Sequence, residues 1–289
     1  MGVPHKQSYE PYLPTGKQDI RSGKYHKIMA EYIISPDSAK KSAHAEDTAP
    51  GEDSLSVCEL FVDAVQGEGA YSGCPAIFLR LSGCHLKCSW CDTADVWNKV
   101  TGIPVSRLLG IFKEKGLVQR LENGHHLVVT GGSPLLQQDA LTEFLMSLHN
   151  ICARKSFIEV ENECCIAVSG KNDALWELVG CWNNSPKLGH SGIPKERRYR
   201  PEAIEQMKQA REAWFKFVVN GEEDWPEICA DFIDTGLITV SQIILMPQGQ
   251  TRKELSPEKK ERILDMAVRH NARYGGRLHI DVYDNRKGV

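Results

Sequence analysis

From residue 57 onward the apolar positions of this 289-residue chain recur with two periods that take turns. A period of two marks strands, and a spacing of three and four marks helices. VCELFVDAV (57–65) alternates as a strand, and AIFLRLS (76–82) reads as a second. PVSRLLGIFKEKG (104–116) has helical spacing at Leu108, Leu109 and Phe112. HLVVT (126–130) predicts a buried strand, and ALTEFLMSLHN (140–150) a helix with Leu141, Phe144, Leu145 and Leu148 on one face. SFIEVEN (156–162) and ELVGCW (177–182) predict strands, PEAIEQMKQAREA (201–213) a helix with Pro201 in its first turn, and WFKFVV (214–219) another strand. PEICADFID (226–234) is expected to be helical, and IILMPQG (243–249) a strand and loop. SPEKKERILDMAVRHN (256–271) predicts a helix capped by Ser256, with Pro257 at its first position and a stripe of Ile263, Leu264, Ala267 and Val268. LHIDVY (278–283) predicts a closing strand.

This is a βα unit repeated about six times, so the expected fold is α/β with a mostly parallel sheet. Sites in such sheets gather at the C-terminal ends of strands. QGEG (66–69), a cysteine loop (84–91), TGGSP (130–134), NNSPK (183–187) and MPQG (246–249) all follow expected strands, which places them on one rim. The first part of the chain differs. SPDSAKKSAHAEDTAPGEDS (35–54) has almost nothing to bury, so residues 1–54 are expected to be a largely flexible extension. Only KYHKIMAEYII within them has the apolar content of a short docked element. Residues 55–289 are expected to form the catalytic domain.

Composition narrows the function classes. Hydrophobic residues are 41% and charged residues 25%, ordinary for a soluble globular protein. A net charge of −3 argues against broad binding to nucleic acid, and no apolar run is long enough to span a bilayer. The opening MGVPHKQSYE lacks the apolar core of a secretory signal, so a cytoplasmic location is expected. His125-His126 reads as a solvated strand start, and KERRYR (195–200) as a solvated basic loop.

Seven of the ten cysteines are scattered and are expected to pack as small hydrophobes. Cys84, Cys88 and Cys91 are different: GCHLKCSWCDT spaces them C-x3-C-x2-C within one loop. Three thiolates so placed can grip a soft metal or an iron–sulfur cluster. A structural zinc would want a fourth protein ligand, and His85, next to Cys84, is poorly placed to be one. Three ligands leave one metal position open for chemistry.

That spacing resembles the signature of radical S-adenosylmethionine (SAM) enzymes. FVDAVQGEGAYSGCPAIFLRLSGCHLKCSWCDT further resembles the opening of the 7-carboxy-7-deazaguanine synthases, the radical SAM enzymes of the queuosine and 7-deazaguanine pathway. The likeness continues in order through VVTGGSPLL, SPKLG, FKFVV, ILMPQG and LHIDVYDNRKGV. It implies a partial, open (β/α) barrel, a homodimer, and an electron donor such as flavodoxin or ferredoxin. It also implies a [4Fe–4S] cluster on Cys84, Cys88 and Cys91, whose fourth iron chelates SAM. Trp90 would lie near the adenine. Gly131, Gly132, Ser133, Ser185 and Lys187 would hold SAM, and Thr93 would ligate Mg2+. Arg80 would fork onto the substrate carboxylate, while Gln66, Glu68, Gly69, Gln248 and His279 would recognise a pterin. The implied reaction contracts 6-carboxy-5,6,7,8-tetrahydropterin to 7-carboxy-7-deazaguanine with loss of ammonia, so the enzyme would be a carbon–nitrogen lyase. The radical would take hydrogen from the carbon that bears the carboxylate.

Two departures stand out. The family usually reads GGEP where this chain has Ser133, so a charged partner for the SAM amino group is missing. Exchanging an ionic for a neutral hydrogen bond, a difference of ~1–2 kcal/mol, is expected to weaken SAM binding about tenfold. EVENE (159–163) stands where ETNG is usual; it keeps Glu161 and Asn162. Two alternatives fit the cysteine loop: another radical SAM enzyme such as a glycyl-radical activase, or a non-catalytic homologue with a binding or regulatory role.

Overall fold

The computed structural model describes residues 30–35, 53–98, 100 and 102–286. Nine strands form one open sheet: β1 (Glu31–Ile34), β2 (Val57–Val65), β3 (Pro75–Leu81), β4 (His126–Thr130), β5 (Phe157–Asn162), β6 (Cys181–Asn184), β7 (Ala213–Val219), β8 (Ile243–Pro247) and β9 (Arg273–Tyr274). They lie in sequence order, with β1 and β9 at the two edges. β1 and β3 each pair antiparallel with β2, and every later neighbour is parallel. Of the extension expected at 1–54, with its linker at 35–54, residues 1–29 and 36–52 lie outside the described residues, while Glu31–Ile34 is docked as the sheet's first strand. A short ribbon, Ser54–Leu55 on Ile103–Pro104, joins the start of the domain to the helix after the cysteine loop.

Strand periodicity explains how one sheet holds both core and site. Side chains of successive residues point to opposite faces. Leu60, Val62, Ile77, Leu79, Leu81, Leu127, Val129, Ile158, Val160, Trp182, Phe215, Phe217, Ile243 and Leu245 belong to one large buried cluster. The intervening residues, among them Glu59, Arg80, Thr130, Glu161, Asn183, Lys216 and Met246, line a cavity on the other face. That second face carries an apolar cluster near β2–β4, where Phe61 and Phe78 stack at 4.9 Å beside Ala64, Ala76 and Val128.

The first face is covered by helices. α1 (Val105–Glu114) buries Val105, Leu108 and Phe112, and α2 (Gln138–Ile151) buries Leu141, Phe144, Leu145 and Leu148. α3 (Pro201–Gln206) is shorter than its sequence suggests, because after a single turn (Met207–Gln209) no apolar stripe remains before β7 begins at Ala213. α4 (Pro257–Arg269) starts as expected, with Lys259 N donating to Ser256 Oγ at 3.3 Å. Its stripe is Ile263, Met266 and Ala267, whereas Leu264 is 46% and Val268 72% exposed. The helix covers only the β8–β9 edge, so its buried face is narrow.

Three other expectations are corrected. The strand expected at 177–182 begins only at Cys181; Ala174–Leu178 forms a helical turn that buries Leu175 and sets Trp176 against Trp182. LHIDVY is a helix, α5 (Leu278–Tyr283), because β9 already occupies the sheet edge. α5 lies across the cavity, with Leu278 N donating to Gly67 O at 2.9 Å and Ile280 buried. Six alternating residues do not separate helix from strand. Finally, neither basic segment is simply solvated. His126 Nδ1 lies 2.7 Å from the buried Glu159 Oε1, and Arg198 is buried in an ion pair with Glu227.

Candidate active site

The cysteine loop leaves the C-terminal end of β3 and is held at several points. Gly83 N and Cys84 N donate to Val96 O and Trp97 O at 2.7 and 3.1 Å. Gln250 Nε2 donates to Trp90 O and Cys91 O at 3.1 and 3.3 Å. Cys84, Cys88 and Cys91 gather with Leu86, Ile193 and Cys165 in a small cluster at the cavity wall. No group of three or more His, Cys, Asp or Glu side chains among the described residues converges as the ligands of a single ion would. A cubane cluster asks for no such point, because each thiolate binds its own iron. Burial pushes the Cys88 thiol up, and Lys187 opposes that shift.

Gly131 and Gly132 form the floor beside this loop. A Cβ on Gly131 would meet Leu81 O at 2.3 Å, and one on Gly132 would meet Gly83 O at 2.1 Å. Gly131 also has φ +86°, in the left-handed region. Ser133 N donates to Gly83 O at 2.8 Å, so the strand end is fastened under the base of the cysteine loop. Ser133 itself is fully buried behind the cavity wall. Ser185 N donates to Asn162 O at 2.6 Å, and Lys187 Nζ donates to Ser185 Oγ at 2.8 Å. The Lys187 ammonium also sits 5.7 Å from the Trp90 ring, whose other neighbour is His190.

On the opposite wall, Glu68 lies between two cations. Its Oε1 accepts from Arg277 Nε at 2.7 Å and its Oε2 from Lys216 Nζ. All three residues are buried. Burial alone would raise the Glu68 carboxyl, but Lys216, Arg277 and His279 hold it well below the usual carboxylate range. Arg277 further bonds Asp92 and Gly249 O, which ties α5 to the cysteine loop and to the loop after β8. His279 Nδ1 presses on Gly67, where a Cβ would come within 2.1 Å. Burial lowers the His279 imidazole.

Gln66 is spent on internal contacts: Oε1 accepts from Glu68 N at 3.2 Å, and Nε2 donates to Glu159 Oε2 at 3.3 Å. Glu159 also accepts from Asn183 Nδ2 at 2.7 Å. Gly69 stands behind the wall against Asn183 with φ +72°. Arg80 faces its cross-strand partner Glu59, and Nε donates to Glu59 Oε2 at 2.6 Å. The terminal nitrogens of Arg80 make no hydrogen bond to a described residue, and Arg80 lines the cavity. Gln248 lines it too, with Oε1 3.4 Å from Lys259 Nζ. Thr93 Oγ1 lies on the wall 3.7 Å from Cys91 Sγ and is a hard oxygen beside the thiols.

The structure thus brings every expected site residue except Gly69 and Ser133 onto one cavity of about 310 Å3. It adds Asp92, Glu161, Glu163, Asn183, Lys216 and Arg277, none of them among the expected site residues. A lone lysine between two phenylalanines in FKFVV, and paired asparagines in a buried strand, are the signals that could have found Lys216 and Asn183. The donor set suits a cluster with SAM: three thiols on one loop, a backbone floor that admits no side chain, and a buried Glu163 Oε2 without a hydrogen-bond partner among the described residues.

Comparison with known proteins agrees with this geometry. The 4Fe-4S single cluster domain family matches residues 65–176. The 7-carboxy-7-deazaguanine synthase of Pyrobaculum aerophilum is 34% identical over 235 residues, covering 80% of this chain and 96% of that protein. That of Halobacterium salinarum is 30% identical over 252 residues, covering 80% and 91%. The crystal structure of QueE from Escherichia coli shares the fold, with a TM-score of 0.54 at 23% identity, covering 79% of this chain and 95% of that one. At this identity across nearly the full length of these relatives, the chain belongs to the 7-carboxy-7-deazaguanine synthase family.

Proposed function

We propose that this chain contracts 6-carboxy-5,6,7,8-tetrahydropterin to 7-carboxy-7-deazaguanine with loss of ammonia, as a radical SAM lyase of 7-deazaguanine biosynthesis. The observation that carries the reading is the shared cavity: the thiol loop and glycine floor occupy one side, and a charged, alternating sheet face the other. Bound there, a [4Fe–4S] cluster and SAM supply one-electron hydrogen-abstraction chemistry. Cys84, Cys88 and Cys91 hold the cluster. Trp90, Gly131, Gly132, Ser185 and Lys187 hold SAM, and Ser133 stands directly behind them.

The substrate side is read from the other wall. Arg80 keeps its terminal nitrogens for the substrate carboxylate while Glu59 fixes its Nε. Gln248 and His279 offer donors and acceptors to the pterin. Gln66 and Glu68 line that wall and Gly69 stands behind it, with Glu68 fixing Lys216 and Arg277 toward the cavity. Thr93 offers one hydroxyl to Mg2+, with substrate oxygens and water completing the shell. Residues 55–289 form the catalytic domain, 1–54 an extension, and the protein works in the cytoplasm as a homodimer reduced by a flavodoxin or ferredoxin. No described helix is long and apolar enough to cross a membrane.

An anaerobic turnover of the iron- and sulfide-reconstituted protein tests this. With SAM, reductant, Mg2+ and the tetrahydropterin, 7-carboxy-7-deazaguanine and ammonia are expected, with 5′-deoxyadenosine only as a minor by-product, because the contraction is redox-neutral. 5′-Deoxyadenosine without the product would refute the substrate.

A further inference from the structure

The residue that the family pattern places at 133 is absent, yet the space in front of Ser133 holds a carboxyl group. Ser133 Oγ donates to Glu163 Oε1 at 2.7 Å. Glu163 follows β5, the strand parallel to and beside β4, whose end carries Ser133. Glu163 is 6% exposed and lines the cavity. Its second oxygen, Oε2, is buried with no hydrogen-bond partner among the described residues. The nearest side-chain nitrogen that pairs with it in charge geometry is His85 Nδ1, itself buried without a hydrogen-bond partner among the described residues and 4.0 Å from Oε1, beyond hydrogen-bond range. Leaving a buried carboxylate oxygen without a donor is costly, and such a group in a native cavity points to a ligand that supplies the donor. The neighbours describe that ligand. The glycine floor adjoins on the β4 side, Ser185 N binds Asn162 O on the β6 side, and the thiol loop lies in front.

We propose that Glu163 receives the ammonium group of the SAM methionine moiety, and that Ser133 orients it through the hydrogen bond to Oε1. The acidic group has moved from the loop after β4 to the loop after β5. A serine at 133 is then a requirement of the new arrangement, because two carboxylates within hydrogen-bond distance repel. The expected deficit in SAM binding is thereby cancelled. This inference rests on the proposed SAM site and assigns its amino-group partner.

The test is equilibrium dialysis of SAM against anaerobic, fully reconstituted protein, with no turnover required. Wild type binds SAM, and Glu163→Gln binds it at least ~tenfold more weakly. A des-amino analogue of SAM binds both proteins equally, which a general structural lesion would not allow. Ser133→Glu in the wild-type background gives no tighter binding, whereas Ser133→Glu combined with Glu163→Gln recovers most of the loss. Unchanged affinity in Glu163→Gln, equal weakening toward SAM and the des-amino analogue, or failure of the double variant to recover overturns the assignment. If Glu163→Gln does not retain iron, Ser133→Glu decides alone: tighter SAM binding there overturns it, and equal or weaker binding supports it. A wild type with full iron that binds no SAM defeats the reading of the whole site, a result distinct from failure of the Glu163 assignment.

Discussion

Replacing Glu68 with Gln tests the charge arrangement on the substrate wall. Lys216 is 5% exposed, and among the described residues the Glu68 carboxylate is its one hydrogen-bond partner. Arg277 keeps Asp92 and Gly249 O when Glu68 is neutralised. The perturbation therefore leaves one buried cation, Lys216, without a hydrogen-bonded carboxylate, with only the more distant Glu161 still attracting it. Removing one partner of a buried pair costs roughly 3–5 kcal/mol. At ~2–4 °C per kcal/mol for a domain of this size, the melting temperature at pH 7 is expected to fall by roughly 6–20 °C. Adding Lys216→Met removes the stranded charge and should return most of that loss.

The pH dependence follows from the direction of the Glu68 shift. Its carboxyl is depressed in the folded state, so its stabilisation is complete above the unfolded value of about 4.3 and is lost as pH falls toward the folded value. The gap between wild type and Glu68→Gln must then close in acid. Calorimetry of the reconstituted proteins across pH reads both effects. A Glu68→Gln melting temperature within ~1 °C of wild type at pH 7, or a double variant no more stable than the single, would refute the reasoning.

Other substitutions test separate parts of the structure. Gly132→Ala drives a methyl group into Gly83 O, so the variant should hold less iron per chain than wild type after reconstitution, by iron and sulfide analysis. Lys187→Met removes the cation that opposes the burial-raised Cys88 thiol, so the midpoint pH for cluster loading should move upward; an unmoved midpoint contradicts that role. Val268→Lys on α4 should change stability by no more than ~0.5 kcal/mol, while Ile263→Ala should cost ~2–5 kcal/mol in chemical denaturation.

The fold was legible where period and length agreed. HLVVT and ALTEFLMSLHN are a strand and a helix in the expected places because each has one strong period. LHIDVY failed because an alternating six-residue run packs equally well as a short helix once another strand has taken the edge. The site's loop residues were legible because cysteines, paired glycines and QGEG sit at strand ends and stand out from the apolar pattern. The sheet's concave face was not. Glu159, Glu161, Asn183 and Lys216 occupy alternate positions of strands buried on both faces, and a one-dimensional pattern does not say which face is core and which is cavity. Glu163 was visible only as part of a departure, since its partner Ser133 lies 30 positions away in sequence.

In the proposed reaction this cavity directs hydrogen abstraction to the carboxylate-bearing carbon of a tetrahydropterin. Substrate carrying deuterium at that carbon, turned over once anaerobically with unlabelled SAM, tests it most directly. One deuterium is expected in the 5′-deoxyadenosyl group, read in re-formed SAM and in any 5′-deoxyadenosine, beside 7-carboxy-7-deazaguanine, because a redox-neutral contraction returns a hydrogen atom to the product. 5′-Deoxyadenosine free of deuterium, formed while the labelled pterin is returned unchanged, would contradict it.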